Sequence, residues 1–495
     1  VTDEPPLSRR DVIAGEPAQP RTGGGLGELL RKHPRAWLFS ALAIAFVLLG
    51  TGAVFAGVAY GSTPAAAPAP SETPLPPRPQ PSAQPTDAIL RTCSVSKLEK
   101  DPRFPSLAAA VVNADTGESL LRYHASSLEP TGSVLKVFTA SAAVLALGAD
   151  YQITTSVIQG SQAGSIVLVG RGDATLSAMP PGTESVYTGA PKLSTLAAAT
   201  LAKFSQDNPG QQITSLILDA SYWNPSDKWD STWKRSEQTI GYHSEVTALQ
   251  VDGDRADPTR QTSPRSTDPI GRAGKAFLQA LRDADGNGIV ADDVAISTGT
   301  AAGGTKLAQV KSQPVRVLIK QMLLNSDNTL AEMLARIVSI SLGLDGSAAS
   351  LQQAIPSELF PDDPETLAKL VIRDGSGLSE KNGVPATTMA MFMIRVETGA
   401  ENLDLVRDAL PVAGKSGTLA SRFTGDNAVL RGNLTAKTGW IDIAYTLSGF
   451  MTAKDGTRLT FAFYAIGGGI KDNAKEALDT LATGVYKCGN NLANF

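Results

Sequence analysis

A charge-free apolar run of 25 residues, Ala36 to Tyr60 (AWLFSALAIAFVLLGTGAVFAGVAY), divides this chain before any fold is considered. As a helix it is long enough to cross roughly 30 Å of hydrocarbon. Arg31, Lys32 and Arg35 stand just before it, and no charge follows until Glu72. The positive-inside rule then predicts a cytoplasmic tail (1–35), one transmembrane helix (36–60) and a cell-membrane protein whose body lies outside. The alternative is a secreted protein, cleaved as a signal peptide at the small residues Ala65 to Ala67; the apolar run exceeds the usual roughly 7–15 residues of such a segment. Residues 61–88 are rich in Pro, Ala and Ser, cannot form a packed core, and read as an extended spacer.

The body carries little that points to nucleic acid or metal. Net charge is −4, and no basic stripe follows any predicted helix, so no nucleic acid is expected as a partner. Three scattered histidines (His33, His124, His243) cannot build a His-rich site. The start DADGNG at Asp283 resembles a calcium loop, but Val294 stands where the bidentate Glu belongs. The glycines at Gly467 to Gly469 lack a preceding dinucleotide-binding unit and read as a turn. Trp223, Trp229 and Trp233 read as packing rather than as a sugar platform. The two cysteines, Cys93 and Cys488, sit at opposite ends of the exported part; a disulfide and two free thiols both remain open.

From Leu107 two short strands flank an Asp115-Thr116-Gly117 turn, and an apolar helical pattern runs to about Leu147. Residues 151–305 read as many short β-like pieces. Helical patterning returns from LAQVKSQ onward and persists toward Thr398. The chain closes with strands LTAKTG, YTLSGFMTA and RLTFAFYAI, then the helix DNAKEALDTLATGVYKC.

Three short motifs carry chemistry. Ser133 and Lys136 in LEPTGSVLKVFTAS are three apart, so a helix brings them to one face. Apolar surroundings depress a lysine's pKa, which suits it to take the serine proton. The bland reading is an N-cap serine and a snorkelling lysine. A second S-x-x-K, Ser94 to Lys97, has no apolar helix behind it and reads as chance. Ser326-Asp327-Asn328 lies between helical stretches, where one hydroxyl could relay a proton and one amide could hold a peptide; a plain helix cap is the competing reading. Lys437-Thr438-Gly439 leads into two long strands and suits a substrate carboxylate, with glycine allowing close backbone approach. Its competitor, Lys415-Ser416-Gly417, runs into polar loop residues.

In this order S-x-x-K, S-D-N and K-T-G form the set shared by penicillin-binding proteins and serine β-lactamases. From about Leu107 to the C-terminus the chain resembles the class C low-molecular-mass penicillin-binding proteins, the D-alanyl-D-alanine carboxypeptidase/endopeptidase group. GDATL at Gly172, VTALQVDGD at Val246, DGSGLSEKN at Asp374 and GTLASRF before AKTG carry the resemblance further. Trp440 departs from it, standing where a smaller residue is expected.

The resemblance implies an α+β fold. A β-lactamase/penicillin-binding-protein-like transpeptidase domain (89–150 and 306–495), antiparallel sheet plus helical block, is split by a large inserted β-rich domain (151–305). It implies hydrolysis of peptidoglycan stem peptides, with β-lactam antibiotics as covalent inhibitors and no metal or cofactor. Ser133 is the implied nucleophile, Lys136 its base, and Ser326 the proton relay. Asn328 holds the peptide, Lys437, Thr438 and Gly439 bind the terminal carboxylate end, and the N–H groups of Ser133 and Trp440 form the oxyanion hole. It also packs the first and last elements together, which implies a Cys93–Cys488 bridge. A same-fold β-lactamase or esterase is the nearest rival, but no Glu here has Asn four residues on to activate a deacylating water. The rival from another class is a catalytically inactive membrane-anchored wall-binding module, against which the intact motif set argues.

Overall fold

The stretch Ser106–Asn113 (SLAAAVVN) is apolar on both of its faces, the pattern of a strand covered on two sides. In a computed structural model, which describes residues 90–494, it is strand β1, pairing antiparallel with β2 (Ser119–Tyr123) around a turn at Gly117. The apolar run 36–60, the tail before it and the whole linker 61–88 lie outside the described residues. Among the described residues no helix is long and apolar enough to cross a membrane.

The insertion supplies β3 (Thr154–Gln159), β4 (Ser165–Val169), β5 (Ile213–Asp219), β6 (Val290–Thr298) and β7 (Lys306–Lys311). The chain then ends with β8 (Leu434–Ile441), β9 (Ala444–Thr452) and β10 (Arg458–Ile466). One sheet has the order β2-β1-β10-β9-β8, antiparallel throughout, with Ala109 opposite Phe463 and Lys437 opposite Ser448. Because strand side chains alternate, Leu107, Ala109 and Val111 face one core while Ala108, Ala110 and Val112 face another.

Helices, numbered along the chain, fill those two cores. The longer ones are α1 (Lys136–Leu147), α2 (Leu193–Asp207), α3 (Pro269–Ala284), α4 (Val315–Asn325), α5 (Asn328–Ser341), α6 (Leu351–Leu359), α7 (Ala386–Thr398) and α8 (Asn473–Cys488). The helix α8 covers one face of the first sheet with Leu478, Leu481 and Val485. On the other face stands α7, with α1 behind it, surrounded by α4, α5 and α6. The first nine residues of α1 are all buried, as expected of a helix apolar on every side.

Cys93 and Cys488 are joined by a disulfide, with Cα atoms 5.4 Å apart. The backbone reinforces it: Cys93 N–H donates to Asn491 O, and Ala493 N–H to Cys93 O.

Two expectations need correction. The insertion is not simply β-rich: its sheet, β6-β5-β4-β3-β7, contains the parallel pairs β4–β5 and β5–β6. Parallel neighbours need crossover connections, and α2 and α3 provide them. The apolar positions Leu193, Leu196, Ala197, Leu201 and Phe204 have helical spacing and are buried. The boundary at residue 306 also moves. Lys306–Lys311 pairs with β3 inside the insertion's sheet, and the helix begins only after Pro314, whose ring fixes an extended-to-helical junction.

Candidate active site

Ser133 lies in a short 3₁₀ turn, Gly132–Leu135, that runs into α1. Two glycines let β8 press against this turn. A Cβ on Gly132, which has φ of 50°, would meet Trp440 N at 3.1 Å; one on Gly439 would meet Ser133 N at 2.9 Å. Thr446 fastens the same place by donating to Thr131 O. The backbone of the Ser133 turn and that of Gly439 and Trp440 are thus held in close contact.

Lys136 is fully buried and donates to three acceptors: Ser133 Oγ at 2.8 Å, Asn328 Oδ1 at 2.7 Å and Ser376 O at 2.7 Å. Burial pushes its pKa down to about 8, against the opposing pull of Asp374, Glu332 and Asp327. A lysine so placed readily becomes an amine, and its lone pair can then accept the proton of Ser133.

The S-D-N segment forms a tight junction between α4 and α5. Ser326 ends α4 in a left-handed conformation, φ 55°. Asp327 caps α5 by accepting from Leu330 N, and Asn328 opens that helix. The helix-cap reading therefore holds for Asp327, while its two neighbours still face the site. The Asn328 side chain bonds Lys136 through its oxygen, and its Nδ2 donates to Tyr242 O at 3.3 Å.

Lys437 sits behind the S-D-N serine. It is fully buried, and its Nζ donates to Ser326 Oγ and to Thr438 O, each at 2.9 Å. Burial, and then the charge of Lys136, holds its pKa well below the usual lysine value. The cleft wall is formed instead by the hydroxyls of Thr438 and Thr418, which bond each other at 2.8 Å. Trp440 is half exposed, with Tyr242 and Tyr445 rings each 6.4 Å away. The cleft has a volume of about 640 Å³, and Ser133, Ser326, Asn328, Thr438, Gly439 and Trp440 all line it.

Several participants carry no motif of their own. Ser376 contributes only a carbonyl, from the DGSGLSEKN loop that the sequence flags but assigns no role. Glu332, one turn beyond Asn328 on α5, is fully buried and accepts from Gly375 N and Ser376 N. Burial, and then the nearby Asp374, pushes its pKa up to about 7. Thr418 follows the rejected K-S-G, so that stretch supplies a hydroxyl rather than a lysine. The other rejected copy lies on the surface: Ser94 bonds Ser96, and Lys97 is exposed. Asp285 spends its carboxylate on the N–H groups of Asn287, Ile289 and Val290, closing a turn. Trp223 and Trp233 are buried, and Trp229 and Trp233 flank His243.

The family described as D-Ala-D-Ala carboxypeptidase 3 (S13) matches residues 92–264 and 255–485. This chain belongs to that S13 family. Carboxypeptidase DacB of Mycolicibacterium smegmatis is 33% identical over 461 residues, covering 91% of this chain and 96% of the relative. Carboxypeptidase Rv3627c of Mycobacterium tuberculosis is also 33% identical, over 80% of this chain and 84% of the relative. Among solved structures, penicillin-binding protein 4 (dacB) of Haemophilus influenzae matches with a TM-score of 0.65 and 21% identity, over 79% of this chain and 99% of that one. The same protein complexed with a novel β-lactam matches with a TM-score of 0.59 and 20% identity, at the same coverage. As an S13 member the chain is a serine D-Ala-D-Ala carboxypeptidase, a hydrolase acting on peptidoglycan.

Proposed function

We propose that Ser133 is the nucleophile of this carboxypeptidase and Lys136 its base. The observation carrying this is the buried Lys136 ammonium 2.8 Å from Ser133 Oγ, with its pKa lowered to about 8. The neutral amine takes the hydroxyl proton as Oγ bonds the carbonyl carbon of the penultimate D-Ala. The developing oxyanion is received by the N–H groups of Ser133 and Trp440. When the C–N bond breaks, the departing amine of the last D-Ala takes, through Ser326, the proton that Lys136 removed from Ser133, leaving Lys136 an amine again. Water then enters and gives a proton to Lys136 as its oxygen bonds the acyl carbon; that proton passes to Ser133 Oγ as the ester bond breaks and the acid leaves.

Lys437 acts through Ser326, holding that hydroxyl by its oxygen. The terminal carboxylate falls instead to Thr438 and Thr418, and Asn328 anchors Lys136 while its amide nitrogen faces the peptide. β-Lactams mimic the same acyl donor and end as esters on Ser133; the β-lactam complex of the H. influenzae protein supports that reading. The apolar run 36–60, with its basic flank, supports a membrane-anchored protein with the body outside.

The test is labelling by a fluorescent penicillin followed over time. Wild type should form a stable adduct, and Ser133→Ala none, with peptide hydrolysis falling by about six orders of magnitude and the melting curve retained. Rapid loss of label would indicate a β-lactamase. Label retained in Ser133→Ala but lost in Ser94→Ala would transfer the role upstream.

A further inference from the structure

The middle residue of the S-D-N segment is where the insertion grips the catalytic core. Asp327 is buried, and its Oδ2 accepts three hydrogen bonds from one side: Arg255 Nη2 at 2.7 Å, the Tyr187 hydroxyl at 2.9 Å and Gln261 Nε2 at 3.2 Å. All three donors belong to the insertion. Its other oxygen accepts from Leu330 N and starts α5. The adjoining residues are held the same way. Asn328 donates to Tyr242 O, and Thr329 Oγ1 accepts from Ser244 N at 3.2 Å.

Arg255 is itself immobilised. It is fully buried, lies 4.8 Å from the centre of the Tyr187 ring, and donates to Gln261 O and Asp252 O. A left-handed backbone at a non-glycine residue persists only where its surroundings fix it, and Ser326 has that backbone directly beside Asp327. Ser326 and Asn328 reach the two site lysines, so a shift of Asp327 displaces both contacts at once.

We propose that Arg255 is a positioning residue for acylation: through Asp327 it sets the placement of Ser326 and Asn328, so that the insertion assembles the active site. This rests on the assignment of Ser133, Lys136 and Ser326 given above. A merely cohesive role for the insertion would show itself equally at another bridge, and one exists. Asp227 of the insertion accepts from Arg336 on α5 at 2.8 Å, the same helix that Asn328 opens.

The experiment compares full-chain Arg255→Met, Arg255→Lys and Asp227→Ala by melting temperature and by penicillin acylation, resolved into the binding constant and the saturating rate. Arg255→Met should lower the saturating rate by about 100-fold with the binding constant nearly unchanged, the scale of a misplacement near 1 Å. Arg255→Lys, with one donor restored, should recover about tenfold of that loss. Asp227→Ala should melt earlier yet acylate at the wild-type rate. A folded Arg255→Met with a wild-type rate overturns the proposal, as do losses in both variants that track their melting temperatures. Should Arg255→Met not fold, Tyr187→Phe and Gln261→Leu each remove one donor from the same oxygen. A drop of about fivefold is expected in each, and unchanged rates in both overturn the proposal. Ser133→Ala run alongside keeps the two readings apart: if it still labels, the nucleophile assignment falls and takes this one with it.

Discussion

Lys437 Nζ donates to Ser326 Oγ over 2.9 Å, tying strand β8 to the residue that ends α4. The amino group therefore spends its N–H donors inside the protein, on a hydroxyl and on Thr438 O, rather than at the cleft surface.

Replacing Lys437 with alanine should then slow acylation by carboxylate-bearing substrates and by neutral ester analogues alike. Loss of this buried donor leaves the Ser326 hydroxyl without its partner, worth about 1–3 kcal/mol, or roughly 5- to 150-fold. Thr438→Val and Thr418→Val should instead penalise only the carboxylate substrate, by about 1 kcal/mol each. Parallel kinetics on an acyl-D-Ala-D-Ala peptide and its ester analogue check both. A selective loss in Lys437→Ala would return the carboxylate contact to the lysine.

Acylation should rise with pH through about 8. The sign follows from the role: Lys136 must be an amine to accept the Ser133 proton, and burial lowers its pKa from 10.5 to about 8. Below that value the ammonium has no lone pair, and the rate climbs about tenfold per pH unit; above it the rate levels. Stopped-flow acylation between pH 6 and 9.5 measures this. A flat profile across that range would remove Lys136 as the base.

The Cys93–Cys488 bridge closes a sequence separation of 395 residues. Removing such a crosslink typically costs about 2–5 kcal/mol. Cys93→Ser or reduction should lower the melting temperature while penicillin acylation at 25 °C persists, since neither cysteine lines the cleft. Thermal melts with and without reductant test this, and identical curves would contradict it.

Much of the site is legible because its spacing is local. Ser133 and Lys136 share one turn, and the long strands around Lys437 announce themselves by alternation and by the Asp455-Gly456 turn. What hides is of two kinds. The Ser376 carbonyl is a backbone group that any residue could supply, so no side chain marks it. Arg255 and Asp327 lie 72 residues apart, one within the insertion and one beyond it, and an arginine beside a VTALQVDGD stretch looks like any other until the fold joins them. Lys306–Lys311 is misread because a six-residue alternation beside a long helical pattern is ambiguous until Pro314 is recognised as the helix start.

The register of the first sheet bears on when this protein can become itself. Ser106 faces Ile466, so β1, already paired with β2, finds its second partner β10 only after the insertion and the whole helical block have been made. Such distant pairing is slow, because a long loop must close before any contact rewards it. The insertion's sheet, from β3 to β7, draws on a continuous stretch and can form while the chain is still emerging. The nucleophile turn must wait beside an unpaired β1–β2 hairpin until β8 arrives to press Gly439 against it. Until β8 is made, the turn that carries Ser133 lacks the strand that presses against it in the finished protein.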